Sequence, residues 1–160
     1  MPIPEFVVEL RRQVGDAVLW LPAVTAVIRR GDELLLVKRS DNGTWTPVTG
    51  IMDPGEEPAG CAVREAREET GVEIRVDRLA AVTSGIEVTH VNGDRAIYLD
   101  HAFSCTGVSG EPHVADDESV DVRWWPISGL PPMKPELLER IEAALSAEVA
   151  TRFRGDPSET

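Results

Sequence analysis

The segment from Gly50 to Val72, GIMDPGEEPAGCAVREAREETGV, constrains the fold of this chain more than any other. Pro54-Gly55 predicts a type II turn, because proline fixes φ at the first central position and glycine takes the positive φ at the second. The residues from about Pro58 to Thr70 are mostly good helix formers, and Gly71 stands where a glycine commonly ends a helix. We therefore expect a sharp turn that leads directly into a helix.

This helix is expected to have one small or apolar face and one acidic face. At about 100° per residue, the first face consists of Ala59, Val63, Ala66 and Thr70. The second face carries three carboxylates, those of Glu65, Glu68 and Glu69. Like charges at such spacing destabilise a helix, so the acidic face is either solvated and balanced by charge pairs or completed by a bound cation. Mg²⁺ and Mn²⁺ prefer oxygen ligands and often bridge carboxylates to phosphates, which favours a metal platform.

Charge and composition limit the partners of the chain. Its 160 residues predict a single domain, and its formal net charge is −12. Duplex nucleic acid and anionic membranes repel so acidic a protein, so neither is an expected partner. A metal ion would supply the positive charge that lets such a protein bind a polyphosphate.

The apolar runs and the cysteines indicate a cytoplasmic protein. The N-terminal residues lack a basic region followed by an apolar run. The longest apolar stretch, from Ala17 to Ile28, contains Pro22 and is too short to span a bilayer. Cys61 and Cys105 lack CxxC spacing, which argues against a zinc site or a disulfide framework. Cys61 is expected near a packing face.

The rest of the chain predicts strands between two further helices. Apolar residues at helical spacing indicate a helix within residues 1–15, either a packing element or a contact in a homodimer. Strands are expected at 23–29, 33–39, 73–82, 86–91, 95–105 and 120–125, and the polar stretch 40–46 is expected to be a loop. A closing helix is predicted over 135–149, followed by a disordered tail over 152–160. This order predicts a sheet between helical layers.

The acidic segment resembles the Nudix box, G-x5-E-x7-R-E-U-x-E-E-x-G-U, where U is an apolar residue. The matching residues are Gly50, Glu56, Arg64, Glu65, Ala66, Glu68, Glu69, Gly71 and Val72. The resemblance covers about residues 20–130, including the strand pair near Trp45, the Asn92-Gly93-Asp94 turn and the strand that follows Glu118. One departure precedes the box: many relatives carry Pro-Gly-Gly where this chain has Pro47-Val48-Thr49-Gly50.

The resemblance implies a fold, an activity and a set of ligands. The implied fold is a Nudix-type α/β/α sandwich with a mixed central β-sheet, and the implied reaction is hydrolysis of a nucleoside diphosphate linked to another moiety. By position, Glu65 and Glu69 correspond to the main metal ligands, assisted by Glu68 and the Gly50 carbonyl. Glu56 and Arg64 correspond to the structural pair that holds the loop to the helix.

The resemblance also implies how the reaction would proceed. One to three Mg²⁺ ions, or Mn²⁺, would join the box glutamates to the diphosphate, and a water would attack one phosphorus in line. The predicted catalytic residues are Glu65, Glu68 and Glu118. Either Glu68, on the acidic face, or Glu118, on a loop that faces the helix in relatives, would act as the base. The alternative for Glu118 is a solvated loop charge among its acidic neighbours.

The substrate within this class remains open. The chain has no proline between Val72 and Glu111, where subfamilies that act on ADP-ribose usually carry one, and it lacks the SQPWPFPxS array of NADH pyrophosphatases. Tyr98 lies too far downstream for the diadenosine-polyphosphate signature. A nucleoside triphosphate, a nucleotide-sugar and a nucleotide-alcohol all fit.

Two other classes of function compete with hydrolysis. A nucleotide-binding sensor on the same scaffold often loses box carboxylates, whereas this chain keeps all four. A prenyl diphosphate isomerase would need an acid and a thiol at the reacting carbon, and neither Cys61 nor Cys105 is evidently placed for that. The three histidines, His90, His101 and His113, lack metal-ligand spacing and are expected to be structural. Lys38, Arg39, Arg95 and Tyr98 could touch phosphate or base, but each also fits an exposed strand position, so none belongs to the predicted site.

Overall fold

Eight strands form one mixed sheet at the centre of the molecule, for which a computed structural model describes residues 3–155. The strands are β1 (Leu19–Arg30), β2 (Glu33–Arg39), β3 (Trp45–Thr46), β4 (Val48–Ile51), β5 (Glu73–Ser84), β6 (Val88–Thr89), β7 (Arg95–Ser109) and β8 (Ser119–Pro126). The helices are α1 (Glu5–Val14), α2 (Pro58–Thr70) and α3 (Pro135–Leu145), and a 3₁₀ turn covers Ile127–Gly129.

Strand β1 organises the sheet. It pairs with β7 in parallel along most of its length, and with β2 and β4 in antiparallel fashion. Strands β5 and β6 lie antiparallel to β7, while β3 and β8 lie antiparallel to β2. The parallel β1–β7 pair among antiparallel neighbours makes the sheet mixed, as expected.

Helices α2 and α3 build separate apolar cores with the sheet. On α2, Cys61, Ala62 and Ala66 pack with a core that includes Val24 and Ile28 of β1. Helix α3 packs through Ile141 and its neighbours against a second cluster that includes Val27 of β1. Alternate residues of one strand thus enter different cores, because successive side chains point to opposite faces of a sheet. The predicted α/β/α sandwich is confirmed.

The small core under α1 shows how that helix packs. Val7 is 4% exposed and clusters with Leu19, Leu21 and Ala96 of the same chain. Val7, with the partly buried Phe6 and Leu10, therefore packs within the molecule, as the packing interpretation expects, whereas Val14 is 43% exposed. Dimerisation remains a prediction. Within residues 3–155, no helix combines the length and the apolar character needed to cross a membrane.

Several local boundaries differ from the predictions. The stretch 40–46 is not entirely a loop, because Trp45 and Thr46 form β3 against β2. Strand β4 was not predicted; it begins at Val48, which is fully buried, so the departure from Pro-Gly-Gly places an apolar side chain in the core. Helix α3 ends at Leu145, short of the predicted residue 149.

The predicted disordered tail is wrong at its beginning. The Arg152 backbone N–H donates to the Ala80 carbonyl at 2.8 Å, and the Val82 N–H donates to the Arg152 carbonyl at 3.0 Å. Arg152 therefore pairs in parallel with Ala81 at the edge of β5, and this backbone pairing holds a segment that lacks apolar periodicity. The predicted tail residues 156–160, and residues 1–2 of the predicted N-terminal helix segment, lie outside the described residues.

Candidate active site

The turn and helix of the acidic segment form as predicted. Gly55 adopts a φ of +85°, and the Glu56 N–H donates to the Asp53 carbonyl at 3.0 Å, which closes the turn. Helix α2 begins at Pro58, where the missing N–H of proline costs no helical hydrogen bond. It ends at Gly71, which takes the left-handed conformation with a φ of 70°.

Arg64 ties the turn to the helix. Its guanidinium donates to both carboxylate oxygens of Glu56, at 2.7 and 2.8 Å, and Glu56 also accepts from the Asp53 N–H at 3.0 Å. The hydrogen bonds from Arg64 lower the pKa of Glu56 to about 2. The same guanidinium donates to Glu65 at 2.8 Å and to Glu68 at 3.1 Å. One cation thus contacts three of the four box glutamates.

Gly50 lies directly against Glu65. A Cβ on Gly50 would stand 2.3 Å from Cγ and Cδ of Glu65, a distance that real side chains do not tolerate. Gly50 cannot move away easily, because β4 pairs Gly50 with Val24 of the central strand. The glycine is required here for close approach of the backbone to a carboxylate, and the Gly50–Glu65 contact places β4 beside α2.

The predicted division of α2 into a packing face and an acidic face is wrong. Glu65 is fully buried and Glu69 is 5% exposed, whereas Ala59 is exposed and Glu68 is accessible to solvent. The helical angle gives the positions of residues relative to one another, but not which sector faces the sheet. Since β4 and the turn cover the side that carries Glu65, two carboxylates are buried together with the apolar residues.

Burial leaves the negative charges of Glu65 and Glu69 poorly compensated. Desolvation raises the pKa of Glu65 to about 7 and the pKa of Glu69 to about 8, and the Glu65 carboxylate contributes to the rise at Glu69. Glu65 Oε2 is buried without a hydrogen-bond partner. A buried acceptor in that state is costly, so the site favours a proton or a cation.

These donors fit a hard divalent cation. Carboxylate and carbonyl oxygens are the ligands that Mg²⁺ and Mn²⁺ prefer, and the orphaned Glu65 oxygen is such a donor. The residues able to hold the ion are Glu65, Glu68, Glu69 and the Gly50 carbonyl. These residues do not form a complete set of metal ligands in the structure. Within residues 3–155, no three acidic, histidine or cysteine side chains form a metal-binding group.

The loop that carries Glu118 contacts the carboxyl end of α2. The His113 N–H donates to the Thr70 carbonyl at 3.0 Å, and the Ala115 N–H donates to the Glu69 carbonyl at 3.3 Å. Glu118 is half-buried, and its carbonyl accepts from the Ser40 N–H at 2.7 Å, which joins this loop to the β2–β3 connection. The structure therefore brings the loop of Glu118 to the acidic helix, while its role as a base stays a prediction.

A cavity of about 260 Å³ adjoins this loop and contains side chains that were left out of the predicted site. Arg39, His90 and Tyr98 line it together with Glu118, and His90 Nε2 lies 2.6 Å from the Tyr98 hydroxyl. The Asn92-Gly93 turn signal locates the hairpin that carries His90 and Tyr98. Sequence patterns gave no signal that α1 would lie opposite this hairpin.

Both cysteines are inaccessible. Cys61 is fully buried and Cys105 is 1% exposed, and burial raises the pKa of each thiol above its ordinary value, for Cys105 to about 12. Cys61 lies on a packing face, as predicted. Neither group is a reactive thiolate at neutral pH, which weakens the isomerase alternative.

Nudix domains have this architecture. It is an α/β/α sandwich in which a turn leads into a helix that ends at a glycine, and glutamates of that helix are buried beside a glycine of a neighbouring strand. The family model described as NUDIX domain matches residues 19–146, and the chain belongs to this family. Nudix domains generally use a divalent metal ion. Helix α1 precedes the matched residues.

Similar proteins include enzymes named as hydrolases. The chain is 30% identical over 118 residues to the NAD-capped RNA hydrolase NudC of Pseudomonas putida strain F1; the match covers 70% of this chain and 38% of that protein. The chain therefore corresponds to less than half the length of such relatives.

Solved structures show the same fold. The MutT Nudix hydrolase from Burkholderia pseudomallei superposes with a TM-score of 0.62 at 25% identity, covering 78% of this chain and 97% of that one. A Nudix hydrolase from Nitrosomonas europaea superposes with a TM-score of 0.60 at 27% identity, covering 77% and 86%.

Proposed function

We propose that this chain is a Mg²⁺-dependent hydrolase that cleaves the diphosphate linkage of a nucleoside diphosphate joined to another moiety, or of a nucleoside triphosphate. One observation carries the proposal: Glu65 and Glu69 are buried together without enough positive charge, beside a glycine that leaves room for a carboxylate. Two buried carboxylates of this kind do not stabilise a fold unless a bound cation balances their charge. Mn²⁺ has the same ligand preference and is the expected substitute.

Each residue of the box has a distinct task in this proposal. Glu65, Glu69 and the Gly50 carbonyl hold the ion, and the exposed Glu68 assists. When bound, the ion supplies positive charge to the diphosphate and Lewis acidity toward a water. Arg64 positions Glu56 and Glu65 through its hydrogen bonds and so keeps the turn against the helix.

Glu118 and Glu68 are the two candidates for the general base. Glu68 is on the accessible side of α2, and Glu118 lies on the loop that contacts the end of that helix. A base must lie within hydrogen-bond distance of the attacking water to take its proton. Substituting Glu68 and Glu118 one at a time distinguishes the two candidates.

The names of the sequence relatives support the reaction class. An NAD-capped RNA hydrolase is a hydrolase of a nucleotide-containing compound, and this chain matches 38% of the length of one such protein. We accordingly propose a nucleotide or nucleoside diphosphate derivative as the substrate.

The test is metal-dependent turnover of a panel of nucleoside triphosphates, nucleotide-sugars and dinucleotides, with products separated by chromatography. We expect cleavage in Mg²⁺ that a chelator abolishes and that Glu69→Gln lowers by at least a hundredfold. Glu73→Gln is the matched control, since Glu73 is half-exposed and pairs only at the surface with Arg67 at 3.5 Å. Binding of nucleotides without turnover of any of them would support a sensor instead.

A further inference from the structure

The cavity of about 260 Å³ beside the Glu118 loop lies between α1, the β2–β3 connection and the β6–β7 hairpin. We propose that it receives the nucleobase of the substrate, and that α1 determines which base fits. The inference rests on the proposed function, because it assigns the part of the substrate that lies beyond the diphosphate. Helix α1 precedes the residues matched by the family model.

The walls of the cavity suit the faces of a flat ring. Val7 of α1, Leu21 of β1, Ile51 of β4 and Ala96 of β7 contribute apolar surface. Pockets for complete drug-sized ligands measure about 300–1,000 Å³, so this smaller space matches a single ring system. A sugar would leave several hydroxyls without partners against these four side chains, and that carries a desolvation cost.

One part of the polar edge of the cavity, formed by His90 and Tyr98, is uncharged. His90 Nε2 lies 2.6 Å from the Tyr98 hydroxyl, and the two rings meet edge to face with centroids 6.0 Å apart. Desolvation lowers the pKa of His90 and raises the pKa of Tyr98, so both groups are neutral at pH 7. Neutral donors and acceptors of this kind match the amide and amine groups along the edge of a nucleobase.

The side of the cavity toward the acidic helix α2 carries a cation. Arg39 lines the cavity and is held by two hydrogen bonds to Asp41, at 2.9 and 2.7 Å. The next residue, Ser40, donates its N–H to the Glu118 carbonyl at 2.7 Å, and the loop of Glu118 contacts the carboxyl end of α2. A base in the cavity therefore directs its attached phosphates past Arg39 toward α2.

Arg11 fixes α1 at one distance from the β6–β7 hairpin. Its guanidinium donates to the carbonyls of Gly15, Ala17 and Arg95, and its Nε lies 3.5 Å from Asp94. The side chain is only 12% exposed. Two opposite walls of the cavity are thus held together before any ligand binds, which lowers the entropic cost of binding.

The test measures the advantage that a base gives to binding. Wild-type protein in Mg²⁺ is titrated by calorimetry with AMP, GMP, CMP and UMP, and with ribose 5-phosphate as the matched probe that lacks a base. We expect at least one monophosphate to bind roughly tenfold more tightly than ribose 5-phosphate, since one well-fitted group in an apolar pocket supplies at least that factor. Equal binding of all five compounds would overturn the proposal.

Two variants locate the effect. Val7→Phe narrows the cavity from α1 and is expected to remove roughly tenfold of the base advantage, with binding of ribose 5-phosphate unchanged. Val14→Phe, on an exposed position of the same helix, is the control and should behave like wild type. A folded Val7→Phe protein that keeps the full advantage would overturn the proposal.

A milder variant decides the question if circular dichroism shows that Val7→Phe does not fold. Tyr98→Phe removes only the hydroxyl and should lower the base advantage by about three- to tenfold, the worth of one hydrogen bond. An undiminished advantage would overturn the proposal. A base advantage without turnover of any substrate would refute the proposed hydrolase and leave this subsite standing, whereas turnover without a base advantage would remove the subsite alone.

Discussion

Replacing Gly50 by alanine introduces one methyl group at the tightest contact of the site. That methyl would lie 2.3 Å from Cγ and Cδ of Glu65, about 1.5 Å closer than carbon atoms ordinarily approach. Glu65 is the flexible partner, but it is fully buried and Arg64 holds it at 2.8 Å. Gly50 is in turn paired with Val24, so neither side of the contact can yield without losing other interactions.

The expected cost is that of overpacking a core, about 1–3 kcal/mol. For a domain of this length, each kcal/mol lowers the melting temperature by about 2–4 °C. We expect Gly50→Ala to melt about 2–12 °C below wild type. Because the methyl displaces Glu65, the concentration of Mg²⁺ needed for half-maximal turnover should rise at least tenfold.

Gly60→Ala is the matched control for the same chemical change. Gly60 is on α2, and a Cβ there meets nothing within 4 Å. Alanine in a helix is favoured over glycine by about 0.5–1 kcal/mol, so this variant should melt slightly above wild type and keep its metal dependence. If the two variants shift the melting temperature equally, or if Gly50→Ala behaves like wild type, the contact between Gly50 and Glu65 is not as described.

Three further outcomes follow from the site. Arg64→Lys keeps the charge but cannot donate to both oxygens of Glu56, so denaturant titration should show a loss of about 1–2 kcal/mol; an unchanged midpoint would contradict this. In metal-free protein, the folded pKa values of Glu65 and Glu69, about 7 and about 8, lie above the unfolded value of 4.5. Their contribution to stability is therefore complete below about pH 4.5 and is lost as the pH rises toward 8. Melting temperatures in a chelator should decline over that range, and Mg²⁺ should restore more at pH 8 than at pH 5; a flat profile would refute it. If Glu118 rather than Glu68 is the general base, Glu118→Gln should lower kcat by about 10²–10⁴-fold with little change in KM, and near-normal kcat would remove Glu118 from the mechanism.

The part of the site that the sequence could predict is local. The turn at Pro54-Gly55 and the helix ending at Gly71 depend on residues within a few positions of one another, and both form as expected. The contact between Arg64 and Glu56 spans eight residues within this one segment, and it also forms. Periodicity and turn residues suffice where the chain neighbours decide the conformation.

The part that could not be predicted depends on contacts between distant segments. Burial of Glu65 follows from the pairing of the short strand β4 with β1. A strand of four residues is too short to be predicted from a periodic pattern. The cavity exists because Arg11 anchors α1 to a hairpin more than 80 residues away. The pattern that predicts α1 gives its apolar face but not the element that this face covers.

Hydrolysis in ¹⁸O-water shows whether this protein cleaves a diphosphate linkage by metal-dependent attack of water. The purified protein is incubated with the nucleoside diphosphate derivative that it turns over fastest, with and without Mg²⁺, and the products are weighed by mass spectrometry beside Glu69→Gln. We expect one ¹⁸O atom in a single phosphate-containing product, only in the presence of Mg²⁺, and no labelled product from the variant. Unlabelled products, cleavage in a chelator, or nucleotide binding without cleavage would contradict it.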